Sequence, residues 1–169
     1  EFDFIIREVV PQHWVDDRSW TEFIDKPRDS SALLMIVSDT TVRYTANTGE
    51  ILTASNGDVI YCPYGSQYRF DVISDVNDDN YNSIKTICIN FNMVRNDKKI
   101  ITLGLTPIKV VDFKNAQLEN DFFDISKYAL KPMMRKYKLY KIMKTLIELY
   151  SNHSKNIAVV KKAVQYIEE

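Results

Sequence analysis

Histidine is nearly absent from this chain: His13 and His153 are the only two in 169 residues. A zinc or iron centre built from several imidazoles, or a catalytic triad with an imidazole base, therefore has almost nothing to draw on. Cysteine is equally scarce, with Cys62 and Cys88 alone. Two cysteines do not make a secreted disulfide framework, and both sit in apolar runs where a free thiol acts as a small buried hydrophobe, which points to a reducing compartment. No apolar run approaches the roughly 18 residues needed to cross a bilayer, and the first residues are acidic and aromatic where a signal peptide would be basic and then apolar. A cytoplasmic protein with no membrane partner is expected. Charge of one sign is lacking too: 22 Lys and Arg stand against 23 Asp and Glu, a net charge of −1. Nucleic-acid-binding domains usually concentrate a basic face, so this chain is not expected to bind DNA by itself.

Only four glycines are present. No phosphate-cradling Gly loop and no nucleophile elbow can be found, and the carboxylates are scattered, so no enzyme is expected and no catalytic residue is assigned. Three of the four glycines, Gly49, Gly57 and Gly65, fall close together. They punctuate a series of short β-branched and apolar runs: Ala32 to Val37, Thr41 to Ala46, Ile51 to Ala54, Val59 to Cys62 and Gln67 to Ile73. Turn residues separate them, Ser38-Asp39, Asn47-Thr48-Gly49, Asn56-Gly57 and Tyr64-Gly65. Short strands at roughly eight-residue spacing predict an antiparallel barrel or sandwich. Thr86 to Asn92 alternates Ile87, Ile89 and Phe91 against Thr86, Cys88, Asn90 and Asn92. Either set could face the barrel interior, since periodicity alone does not choose.

Ahead of this region, residues 1–30 carry Trp14, Trp20, Pro11 and Pro27 among charges and read as an irregular arm with one or two short strands. After Val111 the period changes from 2 to 3.6. Leu118, Phe122, Ile125 and Ala129 mark one helix, which stops before Lys131-Pro132, and a second runs from about Met133 to Ser151. Its stripe of Leu139, Met143, Leu146 and Tyr150 fits either the protein's own barrel or a second subunit. A third amphipathic unit, Ile157 to Ile167, stops with the chain at Glu169. Together with a start at Glu1-Phe2 without Met, this reads as a fragment whose following domain lies outside the sequence.

The run from Gly57 to Tyr68 has a specific spacing: Gly57, five residues, Pro63, one residue, Gly65, two residues, Tyr68. It resembles the second signature motif of the cupin superfamily, Gly-x5-Pro-x-Gly-x2-His-x3-Asn. The Gly, Pro and Gly positions match, while the His position holds Tyr68 and the Asn position Val72. The strand that would supply the family's His-x-His pair reads Thr41-Val42-Arg43-Tyr44-Thr45. Neither a metal nor another cofactor is expected.

A metal-free cupin barrel followed by a helical pair, and then by Ile157-Ala158-x4-Ala163-x2-Tyr166-Ile167, resembles the N-terminal regulatory domain of AraC/XylS-family bacterial transcription regulators. The resemblance implies a cupin-like antiparallel β-barrel (double-stranded β-helix), mainly β with C-terminal helices. It divides the chain into an arm (1–30), the barrel (31–112), a helical dimerisation region (113–152) and a linker with the first helix of a helix-turn-helix domain (153–169). It further implies a small-molecule effector, such as a sugar, a homodimer through the C-terminal helices, and DNA binding only through the domain beyond Glu169. Effector candidates are Tyr44, Tyr61, Tyr68 and Phe70 for stacking and hydrogen bonding, with Arg43 and Asn90 as polar groups. Each aromatic reads equally as core packing, because small barrels fill their interiors with side chains. Leu139, Met143, Leu146 and Tyr150 are the implied dimer contact. The competing class is a stand-alone metal-free cupin that binds or isomerises a carbohydrate.

Overall fold

The computed structural model describes residues 2–13, 19–20, 22–75, 84–127 and 131–153. In chain order the elements are β1 (Phe2–Gln12), β2 (Ser19–Trp20), α1 (Glu22–Asp25), β3 (Ser31–Ile36), β4 (Thr40–Ala46), β5 (Ile51–Ala54), β6 (Val59–Cys62) and β7 (Tyr68–Asp75). β8 (Thr86–Arg95), β9 (Ile100–Ile101), β10 (Ile108–Val111), α2 (Ala116–Lys127) and α3 (Pro132–His153) complete them. The chain is mainly β with C-terminal helices and has the cupin-like arrangement of antiparallel sheets. One six-stranded sheet runs β1-β8-β3-β6-β10 with β9 on β8; a four-stranded sheet runs β2-β7-β4-β5.

Strand alternation sorts the core into two layers. Leu33 and Met35 of β3, Val59 and Tyr61 of β6, and Ile87, Ile89 and Phe91 of β8 pack with Leu118, Phe122 and Ile125 of α2 and Leu139, Ile142 and Leu146 of α3. The residues between them, Ala32, Leu34, Ile36, Ile60, Cys62 and Cys88, face the other sheet and meet Val42, Tyr44, Tyr68 and Phe70. A side-chain period of two on a sheet covered on both faces produces this split. It also settles the orientation of β8: its bulky set packs on the helices, and its small polar set faces the barrel interior.

The helices form where their signals stand. Asn115 caps α2, its Oδ1 accepting the Leu118 N–H at 2.9 Å, and α3 opens on Pro132, whose missing N–H costs nothing at a first helical position. Asp121, buried on α2, takes Lys141 at 2.8 Å and Lys138 at 3.7 Å from α3, so the two helices are ion-paired as well as packed. No described helix is long and apolar enough to cross a membrane.

Two sequence expectations change here. Residues 2–12, expected within an irregular arm, form an eleven-residue strand on the edge of the larger sheet, paired with β8 from Phe2 to Gln12. Leu139 and Leu146, expected at a subunit contact, are 0% and 4% exposed in the protein's own core, and Met143 packs partly buried against the same cluster. The wide apolar arc of α3 serves α2 and the barrel at once, which leaves those side chains nothing to offer a partner. The Tyr150 side chain, Trp14 and the third helical unit from Ile157 to Ile167 lie outside the described residues.

Candidate effector site

The Pro63 to Ser66 corner that ends β6 carries the site's scaffold. Gly65 adopts φ +79°, a left-handed conformation that glycine takes without a Cβ penalty. Its N–H donates to the Arg28 carbonyl at 2.9 Å, and the Ser66 carbonyl accepts from the Arg28 N–H at 3.1 Å. Ser66 is itself tied to the corner, its Oγ donating to the Pro63 carbonyl at 2.7 Å. The loop between α1 and β3 is thus clamped to the motif, and Arg28 is turned inward.

Arg28 is 8% exposed. Its Nη1 donates to the Tyr68 hydroxyl at 2.8 Å, Nη2 to Asn90 Oδ1 at 2.5 Å, and Nε to the Ser30 carbonyl at 3.1 Å. The Phe23 ring lies under the guanidinium, 4.7 Å from its carbon to the ring centroid. Among the described residues Arg28 has no carboxylate within ion-pair distance, and its partners are neutral. Burial pushes the Tyr68 and Tyr44 phenols well above their ordinary values, and Cys62 and Cys88 up to about 11 and about 12. At neutral pH these groups keep their protons and supply no negative charge. A buried cation held only by dipoles is costly, and an anion delivered to it is correspondingly favoured.

A cavity of about 260 Å³ opens beside this group. Arg28, Tyr68 and Asn90 form one wall, Phe23, Leu34 and Phe70 give it apolar surface, and Tyr44 and Cys88 reach it from inside; Glu8 and Gln12 of β1 stand at its rim. Glu8 accepts from Asn90 Nδ2 at 2.8 Å. A bulge between Ile6 and Glu8 sets this pairing, because it places Glu8 opposite Asn90 and leaves Arg7 out of register. Arg7 pairs instead with exposed Asp29 at 3.0 Å. A second, larger cavity of about 540 Å³ lies between the edges of β5 and β10, lined by Glu50, Ile51, Leu52, Pro107, Ile108 and Lys109 among others, and Tyr44 borders it as well.

Of the six candidate effector residues, four come together here: Tyr44, Tyr68, Phe70 and Asn90. Tyr61 does not. It lies on the helix-facing side of β6, its hydroxyl 3.1 Å from Ser31 Oγ and accepting the Leu103 N–H at 3.2 Å. One residue along a strand reverses the face, so Tyr61 and its neighbour Cys62 point opposite ways. Arg43 does not either: it projects from the outer face of β4 and pairs with Asp71 at 3.2 Å. Arg28 takes the cationic role that sequence reasoning gave to Arg43. Its only sequence signal is a charged residue just after Pro27, which no periodic pattern marks. Asn92 shares the face of Asn90 but borders neither cavity. Among the described residues no group of three or more His, Cys, Asp or Glu side chains is placed to hold a metal ion.

No protein-family model matches the sequence. No curated protein matches it either. Among solved structures, the chain is similar to ToxT from Vibrio cholerae strain SCE256 with an unsaturated fatty acid bound, at a TM-score of 0.52 and 9% identity over 92% of this chain. ToxT from Vibrio cholerae O395 bound to (E)-4-(8-methylnaphthalen-1-yl)but-3-enoic acid aligns at 0.43 and 7% identity over 89% of this chain and 57% of that one. A DUF861 family protein from Thermotoga maritima aligns at 0.29 and 16% identity, over 55% of this chain and 78% of that one. The likeness to the first is one of fold, and the chain spans 57% of that ToxT chain's length.

Proposed function

We propose that this chain is the effector-sensing domain of a bacterial transcription regulator of the AraC/XylS type, and that its effector is a small amphipathic acid whose anionic group sits on Arg28. The observation that carries this is the Arg28 guanidinium, buried at a cavity mouth and bonded, among the described residues, to the neutral groups Tyr68, Asn90 and Ser30. An anion there gains a charge-assisted pair in a desolvated setting, whereas a neutral sugar leaves the charge uncompensated. Apolar walls from Phe23, Leu34 and Phe70 suit a hydrocarbon or aromatic body. The fold likeness to ToxT, an AraC-family regulator solved with an unsaturated fatty acid, favours the same class of ligand. The expected cytoplasmic location and the absence of catalysis belong to this proposal; the phenols and thiols held neutral beside Arg28 suit binding rather than proton transfer at neutral pH.

In this proposal the DNA-binding domain follows the chain, and the regulator acts as a homodimer. Because Leu139 and Leu146 are used internally, any contact through α3 falls to its outer side, where Met133 is 87% and Tyr137 61% exposed.

The test is a set of matched acids and alcohols, decanoic acid with decanol and 1-naphthoic acid with 1-naphthalenemethanol, followed by thermal shift and calorimetry. An acid at 100 times its dissociation constant should add about 2.7 kcal/mol, and its alcohol far less. Alcohols binding as tightly as their acids would remove Arg28 from the site and sink the anionic-effector reading.

A further inference from the structure

Tyr44 is the residue common to the walls of both cavities, and it is 1% exposed. Its ring is held between Tyr68, centroids 5.5 Å apart, and Phe70, 5.1 Å apart and edge-on. Its hydroxyl is buried and makes no hydrogen bond among the described residues. The other two buried tyrosines among the described residues are satisfied: Tyr61 by Ser31 and Leu103, and Tyr68 by Arg28. A buried phenol normally finds a partner, and leaving one unpaired forfeits its hydration without return. The other buried side-chain atoms without partners among the described residues, on Asn92 and Arg135, belong to residues that border neither cavity. Among the described residues, the one orphaned hydroxyl carried by a cavity-lining side chain is therefore that of Tyr44, and this side chain lines the same cavity as Arg28.

We propose that the effector is bifunctional: besides the anion on Arg28 it carries a second polar group, a hydroxyl or carbonyl, which pairs with the Tyr44 hydroxyl inside the barrel. This rests on the effector reading above and narrows its ligand to hydroxylated or oxo-substituted acids over plain hydrocarbon acids. Tyr44 meets the second group as a neutral phenol, able to donate to a carbonyl or to exchange hydrogen bonds with a hydroxyl. A plain acid would desolvate the phenol further without pairing it, so discrimination follows from the penalty on the wrong ligand as much as from the bond to the right one.

The experiment measures dissociation constants by calorimetry for octanoate and its positional hydroxy-isomers, and for 1-naphthoate and its hydroxy-isomers, on the full chain and on Tyr44→Phe. At least one isomer should bind tenfold or more tighter than its parent to the native chain, and that ratio should collapse below threefold in Tyr44→Phe, with the parent acid as the internal reference in each protein. Melting temperature checks that the variant is folded. Equal binding of every isomer and its parent, as when a water already satisfies Tyr44, overturns the proposal while leaving the acid-binding site standing. A preference that survives Tyr44→Phe overturns it as well. If no acid binds at all, the effector reading falls and this inference with it.

Discussion

The backbone N–H of Gly65 donates to the carbonyl of Arg28 at 2.9 Å, so the corner after β6 positions the buried cation. The corner leads on to Tyr68, whose hydroxyl takes a bond from that cation at 2.8 Å. Gly65→Ala separates the two roles of the residue. A Cβ there meets nothing within 4 Å, so the cost is the left-handed backbone alone, about 1–2 kcal/mol. Urea unfolding should show that loss, and acid affinity should fall as the loop shifts. At Gly57, φ is +95° and a Cβ would stand 2.6 Å from Lys114 Cγ and 3.0 Å from its Cα. Gly57→Ala should therefore cost more stability than Gly65→Ala; the reverse order would mean that Lys114 yields freely.

Arg28→Met keeps the stem volume and removes the charge. Acid binding should weaken by about 1.5–3 kcal/mol, the worth of hydrogen bonds to a charged group. Stability of the ligand-free domain should change little, because losing the bonds to Tyr68, Asn90 and Ser30 is offset by no longer burying an uncompensated cation. Calorimetry and urea titration read the two effects separately. A large stability loss with intact affinity would make Arg28 a structural residue.

Glu8 stands at the rim of the same cavity, bonded to Asn90. Its negative charge opposes an incoming anion, so Glu8→Gln should bind the acid roughly threefold to tenfold tighter at low salt, with the gain shrinking as salt screens the rim. Unchanged affinity at low ionic strength would show that the ligand enters elsewhere, for instance through the cavity between β5 and β10.

The strands and helices were legible where local chemistry agrees with the fold: turn residues bound β3 to β7, and a 3.6-residue period marks α2 and α3. β1 was not, because its bulge after Ile6 reverses which residues face the core midway and so breaks the alternation that identifies a strand. Arg28 was not legible either. Its burial is produced by Tyr68 and Asn90, 40 and 62 positions away, and no local pattern in the α1 to β3 loop encodes such contacts. Tyr61 and Tyr68 read alike in sequence; only sheet pairing, Leu33 opposite Tyr61 and Ala46 opposite Tyr68, separates the helix-facing phenol from the cavity phenol.

On α3, two substitutions should behave oppositely. Leu146 is 4% exposed within the core shared by the helices and the larger sheet, so Leu146→Glu buries a carboxylate without a partner and should cost more than about 3 kcal/mol, a large share of the roughly 5–15 kcal/mol that holds a domain folded. Tyr137 is 61% exposed, and Tyr137→Glu should change stability by less than about 0.5 kcal/mol. Sedimentation of Tyr137→Glu then tests the outer side of α3 as a subunit contact: a lower mass than the native chain supports it, and the same mass at equal concentration removes that side from the interface.

Alkali should destabilise the domain before it affects most of the surface. Cys62 and Cys88 have an ordinary value of 9.0 and are pushed by burial up to about 11 and about 12 in the folded state. The folded protein thus holds these protons more tightly than the unfolded chain. The stability this contributes is fully present below pH 9 and is lost as pH rises through the window from about 9 to about 12. Urea midpoints should be level from pH 7 to 8.5 and decline from pH 9 upward. The decline should become shallower in a Cys62→Ala, Cys88→Ala double variant, since two of the groups that retain protons in the folded state are gone. Buried Tyr44 and Tyr68, shifted in the same direction, should sustain the remaining slope. A double variant with an unaltered alkaline slope would assign the whole effect to those phenols, of which Tyr68 is bonded to Arg28 and Tyr44 lines the same cavity. The melting of the domain in alkali would then begin at the candidate effector site itself.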